Sequence, residues 1–354
     1  MNRFLLLLAV LWSAVGHGFA AGANTEVKLL LSHSQARPGE TVTAAIQMVS
    51  QPGWHTYWSN PGDAGLPASI EWEPVPGVEP GVIEFPVPEK MILAKLFAYV
   101  YEGEVLLLIP VKISADAPAG AVNLKGKVSW LECSDKTCLP QDANVSASLV
   151  IGDTSTPSPE HDRIERWRSH LPQETAPFEV TSSWESTDSA STRVLTIQWT
   201  PNEPAQQPDF FPFSSETYSM SGETEVVEAG SGQVRLRKKV ELYDGDWPSV
   251  IQGLVLNRTG KDQHLGYVTH LRPGGESGGA AAASTATPGV VQLGGKSADR
   301  SIFGILALAF LGGLILNVMP CVLPVIALKI LGFVNQSRDE PARVRQLGII
   351  YMLG

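Results

Sequence analysis

Cysteine is scarce in this chain: three residues in 354, at 133, 138 and 321, with none anywhere between the last two. A framework of many disulfides is thereby excluded, and the fold must rest on a buried core. Long runs of one charge sign are also missing. The net charge of -10 is spread over the region before residue 300, which marks a solvated acidic surface and speaks against nucleic acid as a partner. Long amphipathic helical patterns are absent too, apart from a short candidate over His161–His170. With 44% apolar residues, what remains is an ordinary globular composition built mainly from strands.

Two stretches interrupt that composition. Asn2 and Arg3 precede the apolar run Phe4–Val15, and small residues follow at Gly18-Phe19-Ala20-Ala21, the pattern of a secretory signal over residues 1–20. Export places the following region in an oxidising compartment. Near the other end, Ser301–Leu328 runs 28 residues without a charge, against the roughly 20 that a spanning helix requires. Lys329, Arg338, Arg343 and Arg345 beyond it favour a cytoplasmic far side. After Pro341 a second apolar stretch begins and stops at Gly354, too short to cross, so the chain is expected to end within a membrane domain spanning 300–354.

Between these segments the expected architecture is two β-rich units and a tether. In the first, over 24–152, strands are expected at Glu26–Leu31, Thr41–Val49, Val105–Ile113, Ala121–Trp130 and Asn144–Ile151. Turn residues at Arg37-Pro38-Gly39, Asn60-Pro61-Gly62, Pro76-Gly77 and Ala117–Gly120 separate them, as in an antiparallel sandwich. In the second, over 160–272, strands are expected at Arg193–Trp199, Gln233–Leu242, Val250–Leu256 and His264–Thr269. Its cluster Phe210-Phe211-Pro212-Phe213 suits a core or interdomain contact better than a binding edge. Residues 273–299, rich in Gly, Ala and Ser, read as a flexible linker.

The chemistry of the exported part rests on Cys133-Ser134-Asp135-Lys136-Thr137-Cys138. Residues five apart diverge on a helix, whereas a hairpin turning at Asp135-Lys136 sets Cys133 opposite Cys138 within disulfide reach. A structural staple and a redox-active pair both fit this geometry. Closing so short a loop is worth only about 2 kcal/mol, and reactive groups gather on short loops of rigid scaffolds, which favours exchange. The segment Leu96-Phe97-Ala98-Tyr99-Val100-Tyr101 offers Phe97, Tyr99 and Tyr101 either as a cover over the sulfurs or as core. In the membrane segment, Pro320 and Pro324 flank Cys321, pointing to a broken helix lining an internal site or to a packed thiol at a kink.

Taken together, the signal segment, Trp54–Asp63, the cysteine pair after Trp130 and Met319-Pro320-Cys321-Val322-Leu323-Pro324 resemble the DsbD/ScsB family of membrane thiol:disulfide interchange reductases. The resemblance implies an immunoglobulin-like first domain and a relay. In it, cytoplasmic thioredoxin reduces a membrane cysteine pair, a C-terminal thioredoxin-like domain is reduced next, and the N-terminal pair then reduces periplasmic thioredoxin-fold disulfide proteins. It assigns Cys133 and Cys138 to the exported pair and Cys321 to the first membrane cysteine, with no metal or flavin cofactor. The partner membrane cysteine and terminal Cys-x-x-Cys have no counterpart in this sequence. Two other readings stay open: a copper-binding module using His55, Met91 and the cysteines, and a non-enzymatic scaffold with a permanent Cys133–Cys138 staple. In either, His55 between Trp54 and Tyr57 suits packing better than ligation.

Overall fold

A computed structural model describes residues 23–274, except 94–95, 186–188, 203, 229–231 and 259–264. The expected signal segment, linker and membrane segment, with Cys321, Pro320 and Pro324, lie outside the described residues. Among the described residues no helix is long and apolar enough to cross a membrane.

The first unit contains β1 (Thr25–Leu31), β2 (His33–Ala36), β3 (Thr41–Ser50), β4 (His55–Gly62), β5 (Ser69–Trp72), β6 (Val78–Pro80), β7 (Glu89–Leu93), β8 (Leu96–Glu102), β9 (Glu104–Ile113), β10 (Gly120–Cys133), β11 (Cys138–Ile151) and β12 (Thr156–Pro157). The helix α1 (His161–Arg168) follows. The second unit contains β13 (Val180–Trp184), β14 (Thr192–Trp199), β15 (Asp209–Pro212), β16 (Tyr218–Met220), β17 (Glu225–Glu228), β18 (Val234–Leu242), β19 (Ile251–Leu256) and β20 (Gly266–Leu271).

The protein is mainly β, and its first unit is an immunoglobulin-like sandwich. One sheet runs β1-β3-β9-β6; the other runs β12-β2-β11-β10-β4-β8-β7, with β5 also paired to β10. Side-chain alternation explains the long apolar runs of β3 and β9. Ala44, Ile46, Met48, Leu107, Ile109 and Val111 enter the main core, while Ala45, Leu106 and Leu108 on the opposite face pack under Ile164 of α1. The short helix therefore has one task, closing the outer face of that sheet.

In the second unit, β13-β14-β18-β16 with β17 forms one sheet and β15-β19-β20 the other. Leu195, Ile197, Trp199, Phe210, Leu236, Val240, Ile251 and Val255 fill the space between them. The three-stranded sheet is buried on both faces. Its alternate residues Phe211, Leu254 and Leu256 belong to the main core of the first unit, where Phe211 meets Tyr99 at 4.4 Å between ring centroids and Phe213 meets Trp58 at 5.5 Å. Asn60 Nδ2 adds a hydrogen bond to the Pro212 carbonyl at 2.7 Å. The Phe210–Phe213 cluster thus divides by parity, Phe210 inward to its own sandwich and Phe211 and Phe213 across to the neighbouring one.

Phe211 is 1% exposed, and truncating such a ring costs about 3–5 kcal/mol. We expect Phe211→Ala to lower the midpoint of chemical denaturation for both units together. Two separate transitions, with the first unit's unchanged, would show that the cores are independent.

Candidate functional site

The strands β10 and β11 pair over their whole length, from Gly120 opposite Ile151 to Cys133 opposite Cys138. At the tip, Ser134 N donates to the Thr137 carbonyl at 2.8 Å. The Ser134 hydroxyl lies 3.3 Å from both the Lys136 and Thr137 amides and accepts from them, holding the turn in place. Alternation of the ladder makes the cysteine pair a close, non-hydrogen-bonded one, with Cα atoms 4.1 Å apart and the sulfurs joined in a disulfide.

The two sulfur-bearing residues differ sharply in environment. Cys133 is 1% exposed, whereas Cys138 is exposed to solvent. Cys133 lies in a small apolar cluster with Tyr57, Ala98 and Val100, against which Met91 and Leu131 also pack. Behind it, Glu132 is fully buried and accepts hydrogen bonds from Asn24 N at 2.8 Å, Asn24 Nδ2 at 2.9 Å, Gln141 Nε2 at 3.2 Å and Trp130 Nε1 at 3.4 Å. Its charge is thereby absorbed within the hairpin base, while Asp135 and Lys136 stand exposed in the turn.

Tyr99 and Tyr101 are placed differently from a cover over the sulfurs. Along β8 successive side chains face opposite ways, and it is Ala98 and Val100 that face Cys133. Tyr99 and Tyr101 point into the main core, where the Tyr101 hydroxyl donates to the Pro86 carbonyl at 2.5 Å. Burial raises the ionisation of both phenols well above the ordinary range. Phe97 follows the same parity and meets Gly222 of the second unit, where an added Cβ would fall 2.1 Å from the Phe97 Cβ. The residues enclosing Cys133 are instead Tyr57 and its neighbours. Gly65, at φ +126, lays its backbone on the Tyr57 ring, leaving no room for a side chain. On the same enclosing segments, Leu66, Ile92 and Leu96 are exposed.

His55 pairs across the ladder with Cys133 and is 2% exposed, with its Nε2 3.3 Å from the Tyr57 hydroxyl and the two rings edge to face. Burial lowers the imidazole pKa and raises that of the Tyr57 phenol. Among the described residues no group of three or more His, Cys, Asp or Glu is assembled to hold a metal ion.

An immunoglobulin-like sandwich carrying one half-exposed disulfide at a hairpin tip defines a class of protein suited to thiol–disulfide chemistry. Residues 27–149 match the family described as thiol:disulfide interchange protein DsbD, N-terminal, so the first sandwich is a domain of that family. The crystal structure of the N-terminal periplasmic domain of ScsB from Proteus mirabilis is similar in fold, with TM-score 0.55 and 17% identity, covering 72% of this chain and 94% of that one. A protein of unknown function from Porphyromonas gingivalis W83 aligns at 10% identity over 71% of this chain and 100% of its own, at TM-score 0.20. No curated protein matches the sequence.

The His55 environment yields a pH test. A histidine whose folded pKa lies below its unfolded value of about 6.5 withholds a proton that the unfolded chain binds, so stability falls as pH drops below that value. Thermal stability is expected to decline between pH 7 and pH 5, and His55→Gln should flatten that decline. An identical pH slope in the variant would contradict the assignment.

Proposed function

We propose that the chain belongs to a protein-disulfide reductase that passes electrons from cytoplasmic thioredoxin across the inner membrane to periplasmic disulfide partners. The observation that carries this reading is the asymmetry of the pair: one cysteine exposed at the turn, its partner enclosed. Exchange requires one sulfur that a partner can reach and a second held nearby to resolve the mixed species. A permanent staple needs no such division.

In the reduced state, the Cys138 thiolate attacks one sulfur of a partner disulfide, and the partner's other sulfur leaves as a thiolate and takes a proton. The Cys133 thiolate then attacks the Cys138 sulfur, releasing the partner's second thiol. Two electrons and two protons pass to the partner, and the Cys133–Cys138 disulfide remains. Reduction reverses the sequence, with a dithiol of a thioredoxin-like domain attacking Cys138. Exposed Leu66 and Leu96, on the segments that enclose Cys133, offer apolar contact for such a thioredoxin-fold protein. Cys321, flanked by Pro320 and Pro324, takes the role of first membrane cysteine, supplied from the cytoplasmic side by thioredoxin. Thiol exchange needs no metal or flavin at any of these steps.

Single-cysteine variants test the assignment. Cys133→Ser should accumulate a covalent mixed disulfide with a thioredoxin-fold partner lacking its own resolving cysteine, whereas Cys138→Ser should give little. Failure of both variants to trap would sink exchange at this pair, and trapping by Cys138→Ser alone would reverse the two roles.

A further inference from the structure

The second β unit contains no cysteine, yet it grips the strand that helps enclose Cys133, and the grip is ionic as well as apolar. From β7, Lys90 pairs with the Asp209 carboxylate and donates to the Gly222 carbonyl at 3.2 Å. The other Asp209 oxygen accepts from Phe210 N at 2.8 Å, from the Thr224 hydroxyl at 2.5 Å and from Lys238 Nζ at 3.4 Å. Lys238 is 0% exposed and donates to Thr224 Oγ1 at 2.8 Å. Burial pushes its ammonium down to about 8. Burial alone would raise the Asp209 carboxyl, but Lys238 and Lys90 beside it hold it below the usual range. Arg258 Nη2 ties the preceding Pro88 carbonyl at 3.2 Å, and Phe97 on β8 lies against Gly222.

Parity then links the two sites. On β7, Lys90 faces the second unit while its neighbour Met91 packs on the cluster that holds Cys133. On β8, Phe97 faces the second unit while Ala98 and Val100 face Cys133. One side of the hairpin is fastened and the other side walls the buried cysteine.

We propose that the second β unit is a positioning element for the redox pair, and that Lys90, through its ion pair with Asp209, holds the β7–β8 hairpin so that Met91 stays packed over the cysteine cluster and limits access to the sulfurs. The role serves the exchange reaction proposed above, but its test requires no protein partner and so stands or falls separately.

The test is the rate at which dithiothreitol reduces the oxidised Cys133–Cys138 bond in the full chain, in detergent and in a Cys321→Ser background that leaves only the exported pair to be read. Lys90→Met should speed reduction on the order of three- to tenfold, as expected for loss of coupling between contacting groups. Met91→Ala should do likewise, and the double variant should add little to the larger single effect. Lys90→Arg keeps the ion pair and should restore the slow rate, while Lys28→Met, which removes only an exposed pair with Glu26, should leave it unchanged. A wild-type rate in Lys90→Met with unaltered near-ultraviolet circular dichroism would overturn the proposal. So would fully additive effects of the two substitutions, or failure of Lys90→Arg to rescue.

Discussion

The register between β10 and β11 is the constraint on which the site depends. Because strand side chains alternate, a slip of one residue would turn every inward group of the hairpin outward. Leu124, Val128 and Trp130 on a slipped β10, or Leu149 and Ile151 on a slipped β11, would leave the core, and Cys133 would no longer face Cys138. Burial of those five apolar groups therefore specifies the position of a bond at the far end of the ladder. The core and the chemistry are set by the same cross-strand pairing.

A second dependence runs through the sheet β15-β19-β20, which has no solvent face of its own between the two sandwiches. Phe210 and Val255 serve one core, Phe211, Leu254 and Leu256 the other. Over this apolar contact the Lys90–Asp209–Lys238 cluster adds a directional one. A buried carboxylate with four donors around it tolerates little displacement, because losing any of them weakens the compensation of a charge in a poor medium. Apolar contact brings the units together, and the ionic cluster restricts how β7 lies against them.

Much of this was legible in the chain. Strands with sustained apolar character, such as Thr41–Ser50, Glu104–Ile113 and Thr192–Trp199, announced themselves within a residue or two at each end. The cysteine hairpin followed from spacing. His55–Gly62 and Glu89–Leu93 were not readable as strands, because Asn60-Pro61-Gly62 reads as turn chemistry and Glu89-Lys90 as a solvated start. For Leu96–Glu102 the aromatic content was plain but the facing was not: both sides of the strand are apolar, so composition cannot say which one meets the sulfurs. The small Ala98 between the rings was the available clue. Lys238 was hidden in Arg235-Leu236-Arg237-Lys238-Lys239-Val240, which looks like a charged surface until period two places it between buried Leu236 and Val240.

The disulfide occupies the free end of its ladder, beyond thirteen other cross-strand pairs that hold the hairpin without it. Opening the bond frees only the four residues of the turn and leaves the sandwich, its core and the contact with the second unit in place. The proposed cycle between oxidised and reduced pair therefore demands no refolding of these thirteen pairs. A bond sited across the core would tie the proposed exchange to the fold; at the tip, the two are separable.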